Sequence, residues 1–185
     1  MYHIKNDKRA QASSELICAG LLACMKEKPF ARITITDVQR ASTVSRSTFY
    51  RNFDCLEDVL ALLCDRGFQA VFTEYNALPP AQRGSLAKAV FQYWFRNSAV
   101  LEALVQIHRT DILFDSLRRS SGLIEALQPL ADDPARFDYF VAIITSAMIG
   151  VLTVWVEHGK TETENQMVQK LTSTFIEMAI LELPG

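Results

Sequence analysis

The apolar positions of this chain recur at helical spacing along nearly its whole length, with no stretch of the strict alternation that marks a strand. Ile17, Leu21, Cys24 and Met25 place one stripe on a helix running from about Asp7 to Lys28, which Pro29 closes. Thr34 followed three residues later by Asp37 makes a capping box that opens a short helix from Ile35 to about Ser42. Thr43-Val44-Ser45 then breaks the period, and Ser45 caps a second short helix from Arg46 to Asn52. Asp54 and Glu57 repeat the capping spacing ahead of a long helix bearing Val59, Leu62, Leu63, Phe68 and Val71, which ends before Pro79-Pro80. Further helices are expected over 86–95, 99–107 and 111–127, broken near Asn97-Ser98, around His108 and at Pro129. A final pair runs from Pro134 to Glu157, closed by His158-Gly159, and from Glu164 to about Leu183, introduced by Thr161 or Thr163.

This pattern predicts an all-α fold of about nine helices, in which a small three-helix head over 1–53 precedes a helical body over 54–185. Composition agrees, since glycine (7) and proline (6) are sparse in 185 residues. Charge divides the chain at the same boundary. Residues 1–53 hold nine Lys and Arg against four Asp and Glu, whereas 54–185 hold ten against seventeen. A basic head on an acidic body suggests that the head alone meets a polyanion.

Tyr139 to Val156 is an uncharged run long enough to cross a bilayer. Thr145, Ser146 and Thr153 interrupt it, and Asp138 and Glu157 flank it where Lys or Arg would anchor a membrane helix. A helix buried on most sides inside a bundle is the preferred reading. Cys18, Cys24, Cys55 and Cys64 form no CxxC pair and sit in apolar helical stretches, as reduced core residues of a cytoplasmic protein do. The polar start of the chain lacks the apolar core of a secretory signal.

The segment Ile33 to Phe53, ITITDVQRASTVSRSTFYRNF, carries the chemistry. Two capped short helices joined by a tight turn make a helix-turn-helix, whose second helix can enter the major groove of DNA. Ile33, Val38, Val44, Phe49 and Phe53 are spaced to lock the two helices together and onto the first, leaving Arg46, Ser47, Thr48, Tyr50 and Arg51 to face outward. The segment resembles the DNA-binding domain of the TetR family of bacterial regulators at Thr34 and Asp37, at Val44-Ser45, at the run Ser47-Thr48-Phe49-Tyr50 ending in Phe53, and through Glu57-Asp58-Val59-Leu60. It departs from that family at Gln39, usually Ala, and at Ser42-Thr43, usually Ala-Gly, where a β-branched residue disfavours the positive φ of the turn and predicts a wider or strained connection. It also lacks the Lys that the family often places near Leu56.

The resemblance implies a DNA operator as partner and a site made by Thr34, Ser45, Arg46, Ser47, Thr48, Tyr50 and Arg51, aided by Lys5, Lys8 and Arg9. Arg46 has the fork that pairs with guanine, while Ser47 and Thr48 suit bases or the thymine methyl. Thr34 and Tyr50 resemble family positions that hold phosphates, and the arm cations add salt-dependent attraction. Reading two half-sites needs a homodimer, and the stripes Ile144, Met148, Val151, Trp155 and Met167, Leu171, Phe175, Met178 are the candidate interface. The tail Trp155-Val156-Glu157-His158-Gly159 resembles the C-terminal domain of one TetR subgroup.

By the same resemblance the aromatic middle helices, with Tyr93, Trp94, His108, Phe114 and Phe140, are candidates to enclose a small-molecule effector, although packing alone explains such residues and some relatives sense a partner protein instead. His108 and Asp111 are too few to make a metal site. No nucleophile elbow, phosphate loop or HExxH motif is present, so no enzyme, cofactor or metal is expected. The rival to a regulator is a helical interaction module whose basic head binds an acidic protein, which would show neither a steep salt dependence nor a base preference.

Overall fold

The computed structural model describes residues 2–128 and 134–181, side chains excepted at 134, 135 and 178–181. Its helices are α1 (Lys8–Glu27), α2 (Ile35–Ser42), α3 (Arg46–Asn52), α4 (Leu56–Ala77), α5 (Leu86–Arg96), α6 (Ser98–Gln106), α7 (Thr110–Arg119), α8 (Ser121–Leu127), α9 (Pro134–Glu157) and α10 (Glu164–Leu181). The described residues contain no strand. The expected ends at Pro129 and Leu183, with Met178 of the proposed interface, lie outside the described residues or side chains.

Local chemistry accounts for most of the ends. Asp7 accepts from the Ala10 amide at 2.8 Å and starts α1. Thr163 and Gln166 cap α10 reciprocally, with Gln166 Oε1 accepting from the Thr163 amide at 2.8 Å. α9 ends where Gly159 and Lys160 turn to positive φ and the Lys160 amide returns to the Trp155 carbonyl at 2.8 Å. His108 does the same for α6, at φ 57°, as the Arg109 amide reaches the Leu104 carbonyl.

Two expectations are corrected. Asp54 and Glu57 do not cap α4: Cys55 is its N-cap residue without a side-chain bond, and Asp58 reaches back to the Asp54 amide at 2.9 Å. The single helix expected over 111–127 is two, giving ten α-helices among the described residues. Ser120 is extended at ψ 114°, and the bend lays Gly122 against α4, where a Cβ would stand 2.3 Å from Phe72 Cβ. Asn76 Nδ2 fixes the crossing by donating to the Gly122 carbonyl at 3.0 Å. No proline announces that bend in the sequence, only the polar run Arg118 to Gly122 that interrupts the apolar stripe.

One core joins head and body, because α4 belongs to both. Its Leu56, Val59 and Leu60 lie with Ile17, Leu21, Phe49 and Phe53, while its Phe68 and Phe72 meet the body. Phe68 packs edge-on to Trp94 at a centroid distance of 5.2 Å. α9 lies against α6 and α7, burying Thr145, Met148, Ile149 and Leu152, and Trp155 stacks on Phe95 of α5 at 4.0 Å. Replacing Gly122 by Ala should push α8 off α4 and lower unfolding stability by about 1–3 kcal/mol. Urea denaturation measures this, and unchanged stability would contradict the close packing.

Candidate nucleic-acid interface

The head is built around Gly20. A Cβ there would sit 2.8 Å from Ser42 Cβ, so the bare backbone of α1 lets α2 approach closely. Thr34 Oγ1 accepts from the Asp37 amide at 3.2 Å, and Asp37 Oδ2 accepts from the Thr34 amide at 2.8 Å, so the expected capping box is formed. Asp37 also takes Lys28 Nζ at 2.7 Å, and this charge-assisted bond, with those from Thr34, holds its carboxyl well below the usual carboxylate range. α2 is thereby tied to the end of α1 as well as to its own first turn.

Of the wider or strained connection expected between α2 and α3, the strained one is found. Thr43 itself takes the left-handed conformation, φ 57° and ψ 17°, so the β-branched side chain carries strain that glycine would not. Ser45 then caps α3, accepting from the Thr48 amide at 3.2 Å. Phe49 and Phe53 are fully buried, and buried Asn52 donates to the Thr48 carbonyl at 2.8 Å. With that side anchored, Ser45, Arg46, Ser47, Tyr50 and Arg51 are exposed and Thr48 is half-buried at their edge.

These outward side chains are partly organised before any ligand arrives. Arg51 Nη2 donates to Thr48 Oγ1 at 3.0 Å, and Ser45 Oγ lies 2.9 Å from the same hydroxyl. The Arg46 guanidinium rests over the Tyr50 ring at 5.6 Å, a cation–π contact that leaves its donors facing solvent. Thr34 is exposed at the start of α2, but its hydroxyl both donates to Asp37 and accepts from its amide. One lone pair is all it retains for a further partner.

The N-terminal segment joins this surface. The His3 amide donates to the Asn52 carbonyl at 3.0 Å, docking residues 2–6 beside the end of α3. Lys5 and Arg9 consequently line a small cleft of about 240 Å³ together with Arg51. Lys8 is exposed on the first turn of α1. Leu56, where the resemblance expects a basic residue, is buried in the core and offers no phosphate contact.

The body places its candidate residues differently. Met148, Trp155 and Met167 are buried within the protomer, and Ile144, Val151 and Leu171 are partly buried against the same core. The face of α9 left uncovered is the neighbouring stripe of Tyr139, Ile143, Ser146, Gly150 and Val154, continued on α10 by Ile176. Between the two helices runs an apolar groove of about 720 Å³, with Val151, Trp155, Met167, Leu171 and Phe175 along its floor. The sequence stripe was therefore one helical step away from the exposed one, because core and surface faces of so apolar a helix carry the same residue types. Among the described residues α9 alone is long and apolar enough to cross a membrane, and a third of that stretch is buried inside the chain.

The five effector candidates do not converge. Trp94 is buried between Phe68 and Tyr93, Tyr93 lies over Gly67, and His108 is an exposed turn residue. Phe114 packs against the core, and Phe140 contributes to a separate surface hollow of about 440 Å³ beside Leu171. Asp111 is held by a forked bond from Arg109, at 2.9 and 3.0 Å, so it is not free to pair with His108. Missed by the sequence is a polar cleft of about 470 Å³ between α4, α7 and α8, lined by Asp65, Asn76, Ser116 and Arg119. Among the described residues no group of three or more His, Cys, Asp or Glu is placed to hold a metal.

A helix-turn-helix with an exposed, basic second helix, carried on a helical body, defines a DNA-binding regulator. Residues 85–177 match the family model of the TetR class described as "Transcriptional regulator C-terminal region", half of the chain, and the protein belongs to the TetR family of transcriptional regulators. A TetR transcriptional regulator from Streptococcus agalactiae shares its fold at 18% identity and TM-score 0.60, covering 91% of this chain and 96% of its own. A Listeria innocua protein does so at 16% identity and TM-score 0.73, covering 95% and 96%. A protein assigned to the TetR family from Syntrophomonas wolfei is similar at 18% identity and TM-score 0.66, covering 94% and 97%. No curated protein matches the chain.

Strain at Thr43 gives a direct test of the turn. Thr43→Gly should relieve about 1–2 kcal/mol of left-handed strain and lose about 0.5–1 kcal/mol to unfolded-chain entropy, so the midpoint of denaturation should rise slightly with its slope unchanged. A fall in stability would contradict the conformation assigned to this residue.

Proposed function

We propose that the protein is a cytoplasmic homodimeric repressor that binds a palindromic operator through two copies of α3 and releases it in response to an effector. The observation that carries the reading is the division of α3. Phe49, Asn52 and Phe53 hold it from behind, while Arg46, Ser47, Tyr50 and Arg51 stand clear in front. Arg46 reaches guanine edges, and Ser47 and Thr48 read adjacent bases or the thymine methyl. Tyr50 and Arg51 donate to phosphates, Thr34 does so once its hydroxyl proton turns from Asp37 to the DNA, Ser45 sets the helix start from which these contacts are measured, and Lys5, Lys8 and Arg9 follow the backbone into the next groove.

Dimerisation supplies the second copy. The exposed stripe from Tyr139 to Val154 and the groove beside it form a long apolar face, and Gly150, with nothing within 4 Å of an added Cβ, lets a second α9 pack closely. Two such faces related by a two-fold axis make a four-helix interface in which Leu171 and Phe175 become fully covered. The uncharged run is then explained without a bilayer.

Gel-shift titration against operator fragments tests the site. Arg46→Ala should weaken specific binding by about 1–3 kcal/mol and relax base preference at one position, whereas Arg51→Ala should weaken all sequences alike and reduce the salt slope by about one. Binding unaltered in both variants would remove the assignment. In sedimentation, Ile143→Asp with Val154→Asp should give a folded monomer with little operator affinity, and a persisting dimer would place the interface elsewhere.

A further inference from the structure

Asp65 sits on α4 where the head's arm and the body meet. Tyr2 donates its hydroxyl to Asp65 Oδ2 at 2.5 Å, Ser116 of α7 donates to Oδ1, and Arg119 Nη2 stands 3.7 Å from the same oxygen. The carboxylate is mostly enclosed, its side chain 27% exposed. Burial, and then the bond to this carboxylate, push the Tyr2 phenol up to about 12, so it remains a donor at any physiological pH. With the His3 to Asn52 bond, this acidic side chain therefore fastens the arm that carries Lys5 ahead of α1.

The same carboxylate lines the polar cleft between α4, α7 and α8. That cleft is rich in acceptors. It holds Asp65 and Glu125 against the single guanidinium of Arg119, and Asn76 Oδ1 is buried there without a donor among the described residues. A volume of about 470 Å³ suits a small molecule, and its polar walls suit a hydrophilic one. The chemistry lacking is a compact group with several N–H donors and positive charge.

From this we infer that the cleft binds a small organic amine or guanidine, which takes Asp65 as its counter-ion in competition with Tyr2. Binding frees the Tyr2 hydroxyl, and the arm, left with the His3 to Asn52 bond alone, holds Lys5 less firmly beside α3. The inference names the ligand class and the route of control within the regulatory reading above, but binding in the cleft stands or falls without DNA.

Calorimetric titration of the intact protein at constant ionic strength, with putrescine and agmatine as probes and butanediol as the uncharged control, tests it. A cation should bind and raise the unfolding temperature while butanediol does neither, and Asp65→Asn should abolish the response. Tyr2→Phe removes the competing donor and should tighten amine binding by about tenfold, an effect no merely structural role of Tyr2 produces. Hydrogen exchange at the His3 amide should rise when the amine binds. No response to either amine, an equal response to butanediol, or Tyr2→Phe binding no more tightly than the parent overturns the inference. If Asp65→Asn does not fold, the Tyr2→Phe comparison decides alone. A protein that failed here and still bound operator DNA would lose this site and keep its proposed function.

Discussion

Burial of Phe49 and Phe53 against α1 and α4 is the constraint on which the rest of the molecule depends. α3 has seven residues, too few to hold a helix in water by its own hydrogen bonds, so its shape and its orientation both come from packing. Two aromatic side chains at 0% exposure fix which of its faces is inner, and everything outward follows from that choice. The Ser45 cap, the Arg51 to Thr48 bond and the Arg46 to Tyr50 stacking are refinements on a helix already held in place. Strain at Thr43 is tolerated for the same reason: the core beneath the turn over-determines its backbone.

α4 transmits the consequences of that packing. Its first turns close the head's core and its later turns carry Phe68, Phe72 and Asp65, so any shift of the body relative to the operator must move or bend a helix shared by both. The arm is attached to this helix as well, through Tyr2. Head and body are therefore coupled by packing and by one polar junction, and a ligand altering either has a physical path to the DNA-facing surface.

Much of the head was legible in the sequence because its signals are local. Capping at Thr34 and Ser45, the Pro29 stop and the Phe49 to Phe53 spacing each act within a few residues, and the structure follows them closely. The α7–α8 bend is marked in the sequence only by the polar run ending in Ser121-Gly122, while the close approach that sets it, Gly122 against Phe72, joins residues about fifty apart. In α9, residues such as Met148 and Ile143 are equally apolar, and which one is covered depends on how α6 and α7 approach. The polar cleft went unread because Asp65, Ser116 and Arg119 are unremarkable singly and meet only in three dimensions. Aromatic clustering around Trp94 reads in the sequence either as a pocket or as packing, and Trp94 itself packs in the core between Phe68 and Tyr93.

Sequencing of DNA fragments retained by the intact protein tests the central claim most directly, that two outward faces of α3 are presented together to neighbouring major grooves. The account predicts a shared inverted repeat whose half-sites are separated by about one helical turn, some 10 base pairs, or a small multiple of it. Retained fragments with no common sequence, or a single unpaired half-site bound as tightly as the repeat, would contradict it.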